Sequence, residues 1–440
     1  MINLQESPFH WERPEVGKLT TEVWEKCILD KIFPAEPPLN YNWIGPGGGY
    51  RGQWLWDTMF VVDLLSLLPD KKNIIRDVFQ NFWDFQERWD REMPEFAHGM
   101  IANFIQPGNH DWLKFPAYSQ IPILAWGVER VFRRNGDMEL VRRAVQPLER
   151  FHDWYWRERD VTGCGLVSVG VYSEVTRKNT IASGNGWEPV QQARFETFDC
   201  ECNLDDLQLT RHPARKENGN GKWYGDICLP GNTAYLILAE TCLMRLADLT
   251  GDHAMATRRR AKADRGAEAV RQLMWDDDSG LFLAVQRDTL KKIPVATIGS
   301  WIPLHAGIPT ARMAARMAAA FQTPNWQTPL PIPTVDSQNT RYAADGFWRG
   351  DVWPATNYQI AEGFARYGYK DIAADIADKT IANAITNGIS ERYDSRSGKA
   401  HGVDFLGMTC TIITMMLDGL SQEHRLWRDG EGIHGHRRTK

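Results

Sequence analysis

The sequence predicts an all-α fold, a closed double ring of helices, and three observations point to it. Apolar residues recur at helical spacing through most of the chain outside its long loops. The helical segments come in pairs, one member more apolar and the other more amphipathic. No βαβ alternation appears, which disfavours a Rossmann or TIM-type sheet, and no fixed-period repeat marks a solenoid. A count of about ten to twelve helices, alternately buried and half-buried, fits two concentric layers. Hairpins of this kind closing in a ring form an (α/α)6 toroid barrel with long active-site loops.

The elements follow in order. Early helices are expected near 19–30 and 54–68. Residues 71–92 place Ile75, Val78, Phe79, Phe82, Trp83 and Phe85 on one face, with charges between them. A helix over 118–136 ends where Gly136 takes a left-handed cap. Asp137 then caps a second helix over 138–158, with Pro147 arguing for a kink or a late start. The loop is so short that the two helices form an antiparallel hairpin. The pattern returns at 232–249, ending at Gly251, and at 252–275. Further helices are expected at 308–320, 355–369, 371–388 and 405–419. Residues 1–39 read as an N-terminal extension packed on a barrel of 40–420. Residues 421–440, basic and rich in Gly and His, read as a flexible tail.

Composition narrows the function. The 440 residues carry Lys+Arg 51 against Asp+Glu 56, a formal net charge of -5. That balance offers no steering toward nucleic acid. No long apolar run predicts a membrane span, and the N-terminus does not resemble a signal peptide. The Cys count of 7 is odd and irregularly spaced, which fits a reduced, cytoplasmic compartment better than a disulfide framework. Cys200 and Cys202 lack the further ligands of a zinc site, so no metal is expected. The 19 Trp exceed what a core requires. Trp offers a flat apolar face with one polar handle, so a surplus points to a ligand that both stacks and hydrogen-bonds.

The long loops 40–57, 160–230 and 323–354, with a shorter one at 389–405, hold the unusual chemistry. Gly47, Gly49 and Gly52 match G-x-G-x-x-G in form. No convincing strand precedes them and no βαβ unit follows, so no dinucleotide cofactor is expected. After them, Gln53, Trp54, Trp56 and Asp57 combine aromatic faces and an acid at a helix start, a pattern suited to a sugar ring. Tyr118 and Gln120 open another helix and can offer polar groups to a ligand. In 341–359, Phe347, Trp348 and Trp353 surround Arg349 and Asp351. Charges among Trp residues are costly to bury unless paired or facing a polar ligand, so a pocket wall is expected; Arg349 and Asp351 pairing with each other is the alternative. Glu391 and Asp394 lie in the last loop, either as exposed loop carboxylates or with one of them as half of a catalytic carboxylate pair. The other half would come from 160–206, where Glu174, Glu188, Glu196, Asp199, Glu201, Asp205 and Asp206 stand among Trp187, Phe195 and Phe198; they read as a solvated loop, as a metal site whose spacing does not match a calcium loop, or as the source of a general acid. A carboxyl against an aromatic wall stays protonated near neutrality. His98, His110, His305 and His401 read as structural residues before pocket residues. No G-x-S-x-G, H-E-x-x-H or Walker motif is present.

Four segments resemble the (α/α)6-barrel glycoside hydrolases of family 63 and the related trehalases of family 37, in particular small bacterial-type members acting on glucosylglycerate or mannosylglycerate. GQWLWDTMF at 52–60 is similar to their early Gln-x-x-Trp-Asp segment. YSQIPILAW at 118–126 resembles Tyr-x-Gln-Pro-Pro, with Ile121 in place of Pro. WRGDVWPATNY at 348–358 resembles Trp-Arg-Gly-Pro-x-Trp, with Asp351 in place of Pro. SERYDSRSG at 390–398 resembles the segment whose Glu is the general base. The usual Glu-Ser-Gly-x-Asp segment, whose Asp is the general acid, has no clean counterpart. FETFD at 195–199 imitates it best, and SGNGWEP at 183–189 comes second.

The resemblance implies an inverting hydrolase of a small α-glucoside or α-mannoside. Asp199, or Glu188 in its place, would protonate the glycosidic oxygen, and Glu391 would activate water. Trp54, Trp56, Trp348 and Trp353 would wall the sugar, with Asp57, Arg349 and Asp351 holding its hydroxyls. No cofactor is expected, and the chain could be a monomer or a homo-oligomer. A sugar epimerase or phosphorylase on the same barrel is the enzyme alternative. A carbohydrate-binding protein without turnover is the other.

Overall fold

The computed structural model describes residues 8–92, 95, 98–108, 119–160, 162–170, 209–211, 223–340 and 342–428. Among these are twelve α-helices: α1 (Pro14–Val23), α2 (Leu55–Leu65), α3 (Lys72–Glu92), α4 (Leu124–Asn135), α5 (Met138–Arg159), α6 (Pro230–Thr250), α7 (His253–Ala269), α8 (Ile302–Ala306), α9 (Ala311–Phe321), α10 (Pro354–Arg366), α11 (Lys370–Asn387) and α12 (Thr411–Leu417).

The even-numbered helices form the inner ring. Each packs on the next: α2 on α4, α4 on α6, α6 on α8, α8 on α10, and α10 on α12. The 3-10 turn Gly407–Cys410, which leads into α12, packs back on α2 and closes the circle. Every residue of α2 is buried; most are apolar, as an inner helix requires, and Asp57 and Asp63 are the charged exceptions. The odd-numbered helices lie outside and keep a polar face. In α3, Ile75, Val78, Phe79, Phe82, Trp83 and Trp89 are buried while the charges between them reach solvent. The structure is thus the (α/α)6 barrel that the paired pattern predicts.

Local signals explain the hairpin turns. Gly136 (φ 71) and Gly251 (φ 82) take the left-handed cap after α4 and α6. Asp137 and Asp252 then accept backbone N–H bonds and start α5 and α7. Pro147 does not end α5, which runs as one helix from Met138 to Arg159. The α4 helix starts later than expected, at Leu124, because Pro122 stands in the segment before it.

The fold is not purely helical. Short antiparallel pairs decorate the barrel, together with a four-stranded sheet of Ser168–Gly170, Leu209–Arg211, Trp223–Cys228 and Val285–Gln286. His10–Trp11 pairs with Leu426–Trp427 and joins the two ends of the described chain. Residues 429–440 lie outside the described residues. No described helix is long and apolar enough to cross a membrane.

At the end of the barrel away from the inner-helix starts, an ionic cluster binds the ring. Asp63 of α2 meets Arg130 and Arg134 of α4, and both guanidiniums reach Asp418 after α12. Tyr358 of α10 donates to Asp418. Burial alone would raise the Asp63 carboxyl, but the two guanidiniums outweigh it and hold it below the usual aspartate range.

Candidate active site

Four inner helices begin at one cavity. Trp56 and Asp57 come from the first turn of α2, Gln120 and Ile121 from the segment before α4, Trp348 and Trp353 from the loop before α10, and Leu406 and Met408 from the approach to α12. Pro46, Tyr50, Trp54, Phe347 and Glu391 complete the lining. The cavity holds about 750 Å³, its open mouth included.

Glu391 is presented by a hairpin. Ser390–Tyr393 pairs antiparallel with Ala400–Asp404, and the register shifts between Ser390 and Arg392. Such a bulge re-aims a side chain, here that of Glu391. Gly402 lies opposite at φ +81, where a Cβ would stand 2.2 Å from Glu391 Oε2. Only glycine leaves room for the carboxylate in that pose. The Val403 N–H donates to Oε2 at 3.0 Å and the Tyr50 hydroxyl to Oε1 at 3.3 Å. The residue is 4% exposed. Burial raises its pKa above the usual glutamate value, against the opposing pull of the Val403 N–H, Arg392 and Tyr50.

Asp57 shares the cavity. Burial, and then the nearby charge of Glu391, push it up to about 7. Two carboxyls lining one cavity oppose each other's ionisation.

The walls are aromatic. Trp54 stacks on Phe104 at 4.6 Å, and its edge meets Tyr50. Trp348 stacks on Trp353 at 4.2 Å, with 8° between the planes. Gln120 accepts the Trp56 N–H at 3.1 Å, so the segment before α4 caps the start of α2.

Several sequence expectations require correction. Gln53 does not face the cavity: it is fully buried, donates to the Val78 carbonyl and accepts from Asn81. Asp351 is also fully buried and stands outside the cavity lining. Its ion-pair partner is Arg392 at 3.5 Å, and Arg349 stands outside the lining. Trp54, Trp56, Asp57, Gln120, Trp348, Trp353 and Glu391 do come together. His110, Tyr118, Trp187, Glu188, Glu196 and Asp199 lie outside the described residues. His305 is buried against Glu362 inside the ring, and His401 is on the hairpin; neither lines the cavity. Sequence reasoning missed Tyr50, Leu406 and Met408. The glycine-rich run before Tyr50 was the available signal, since it read only as a turn. Its Gly48 is packed against Val403, the hairpin residue whose N–H holds Glu391.

Residues 50–409 match the family model described as the mannosylglycerate hydrolase MGH1-like glycoside hydrolase domain. The chain belongs to this glycoside hydrolase family. The match spans all the cavity-lining elements except Pro46. A mannosylglycerate hydrolase of Rubrobacter radiotolerans is 23% identical, over 89% of this chain and 98% of its own length. A periplasmic trehalase of Escherichia coli is 22% identical over 90% of this chain and 70% of its own. Among solved structures, a GH63 mannosylglycerate hydrolase from Thermus thermophilus in complex with glucose superposes with a TM-score of 0.67 at 20% identity. The superposition covers 89% of this chain and 98% of that one. The fold is therefore that of the family 63 and trehalase barrels, and the chain is a glycoside hydrolase. Among the described residues, no group of His, Cys, Asp and Glu is arranged to hold a metal ion.

Proposed function

We propose that this glycoside hydrolase cleaves a small α-glycoside with inversion, and that a glycosylglycerate is its substrate. One observation carries the mechanism. Glu391 is a buried carboxylate on a hairpin irregularity, facing an aromatic cavity and held there by the Val403 N–H and the Tyr50 hydroxyl. Glu391 takes a proton from water, and the water oxygen attacks the anomeric carbon. A carboxylic acid on the other side of the ring protonates the departing glycosidic oxygen. Asp199 is our assignment for that acid, with Glu188 second. An inverting pair stands about 6.5–9.5 Å apart to admit the water. The stacked walls of Trp54 and of Trp348 with Trp353 flank the ring, while Trp56, Asp57 and Gln120 meet its polar edge.

The substrate reading rests on the family match and on the mannosylglycerate hydrolase relative that spans most of both chains. Steady-state kinetics on glucosylglycerate, mannosylglycerate, trehalose and kojibiose test it. A glycosylglycerate should exceed trehalose in kcat/KM by at least about tenfold. Trehalose leading the panel would overturn the substrate assignment and leave the hydrolytic mechanism standing.

A further inference from the structure

Asp351 is a buried carboxyl that the mechanism above does not use. Four donors converge on it. Oδ1 accepts from the Thr334 hydroxyl at 2.7 Å and the Trp348 N–H at 3.1 Å. Oδ2 accepts from the Trp353 indole N–H at 2.9 Å and from Arg392 at 3.5 Å. The Thr334 hydroxyl also accepts the Gly350 N–H at 2.8 Å, which fixes its own proton on Asp351. Only an ionised carboxylate offers acceptors in all these directions. Burial pushes the group up to about 7 while the four donors pull it down, so it is above that pH that they hold an anion.

The two tryptophans are the stacked pair in the cavity wall. Trp348 sits at φ 56, a conformation that a bulky side chain holds only where its surroundings over-determine it. The Asp351 hydrogen bond to its N–H is one such restraint. The same carboxylate also reaches the strand of Glu391. Arg392 follows Glu391 directly, donates to the Asp345 carbonyl at 2.7 Å and lies over the Phe347 ring. Next to Asp351, Val352 exchanges both backbone hydrogen bonds with Tyr393, at 2.8 and 2.9 Å.

We propose that Asp351 is a positioning residue that locks the Trp348–Trp353 platform to the Glu391 strand, and so sets how tightly the sugar ring is held where water attacks. This inference rests on the reading of Glu391 as the base and of the tryptophan pair as the sugar platform. The carboxylate acts through the groups it holds and touches no substrate.

The test uses the full chain with Asp351→Asn and, separately, Arg392→Met. In either orientation, the new amide of Asp351→Asn leaves an indole or backbone N–H facing a donor. Arg392→Met cuts the carboxylate's own tie to the Glu391 strand, leaves the Val352–Tyr393 backbone pair, and leaves Asp351 its other three donors. Titration calorimetry with glucose and with mannose, steady-state kinetics and a crystal structure are read together. For Asp351→Asn we expect a cooperatively folded protein, a displaced Trp353 ring, and monosaccharide Kd and KM raised in parallel by about 10- to 100-fold. Arg392→Met should move both constants in the same direction by less. Unchanged Kd and KM with only kcat reduced would mean a smaller active fraction and would overturn the proposal. So would an undisturbed Trp348–Trp353 stack in the Asp351→Asn crystal, whatever the activity. A displaced stack in that crystal, with no monosaccharide binding to the wild type, would overturn the site reading and the sugar-holding role together while leaving the brace itself established. Should Asp351→Asn fail to fold, Arg392→Met decides the question by the same constants.

Discussion

The Tyr50 hydroxyl donates to Glu391 Oε1 at 3.3 Å, joining residues 341 positions apart in the chain. The bond ties the glycine-rich loop before α2 to the hairpin near the C-terminal end of the barrel. It stabilises the ionised form of Glu391, against the burial that raises its pKa. Tyr50→Phe removes that support, so the pKa rises further. A base must be deprotonated to act, so the acid limb of kcat/KM should move to higher pH, by up to about one unit. A pH profile of the variant beside the wild type measures it. An acid limb that stays in place would show that the hydroxyl does not act on Glu391.

Gly402→Ala tests how the carboxylate is seated. The added methyl stands 2.2 Å from Glu391 Oε2, at a φ that alanine adopts poorly. The backbone conformation alone should cost about 1–2 kcal/mol, read as a lower melting temperature. Activity should fall about 100-fold in the protein that remains folded, because Glu391 must move. Wild-type kcat in the variant would contradict this seating.

Asp57 links the site to stability. Its carboxyl titrates at about 7, far above its unfolded value, because burial and Glu391 oppose its charge. A raised carboxyl favours folding when protonated. That contribution is lost as pH rises through the folded value, so the wild type carries a penalty above pH 7. Asp57→Asn carries no such charge. Its melting temperature should exceed the wild type's at about pH 8, and the difference should shrink toward about pH 4. A difference independent of pH would contradict the buried, ionisable setting.

Much of the ring was legible in the sequence because its signals are local. Gly136 with Asp137, and Gly251 with Asp252, mark the hairpin turns by capping chemistry alone. The largely apolar α2 and the striped α3 reveal their layers by periodicity. The site was only half legible. In Gln53-Trp54 and in Trp348 to Trp353, polar and aromatic residues alternate, and spacing does not show which ones reach the cavity. Gln53 pairs with the strand Phe104–Ile105 and turns under the helix toward Val78. Asp351 turns inward because four donors from four different residues meet there. Those donors come from Thr334, Trp348, Trp353 and Arg392, and only the folded chain collects them. Tyr50 escaped notice for the same reason.

The ionic cluster opposite the mouth should matter for stability and little for substrate binding. Asp63→Asn leaves Arg130 and Arg134 with Asp418 as their remaining shared partner in the cluster. Breaking a buried pair from one side costs about 3–5 kcal/mol. Asp63 stands six residues beyond Asp57, about 9 Å along α2, so KM should stay near the wild-type value. Thermal melts with kinetics at a permissive temperature separate the two effects. A large rise in KM without destabilisation would show that the cluster belongs to the site.

The central claim is that Glu391 activates water for inverting hydrolysis. Anomer-resolved proton NMR during cleavage of an α-glycosylglycerate, with wild type beside Glu391→Gln, tests it most directly. The wild type should release the β-anomer first, and Glu391→Gln should be slower by about 10²- to 10⁴-fold while remaining folded. Release of the α-anomer first, or wild-type cleavage by Glu391→Gln, would contradict it.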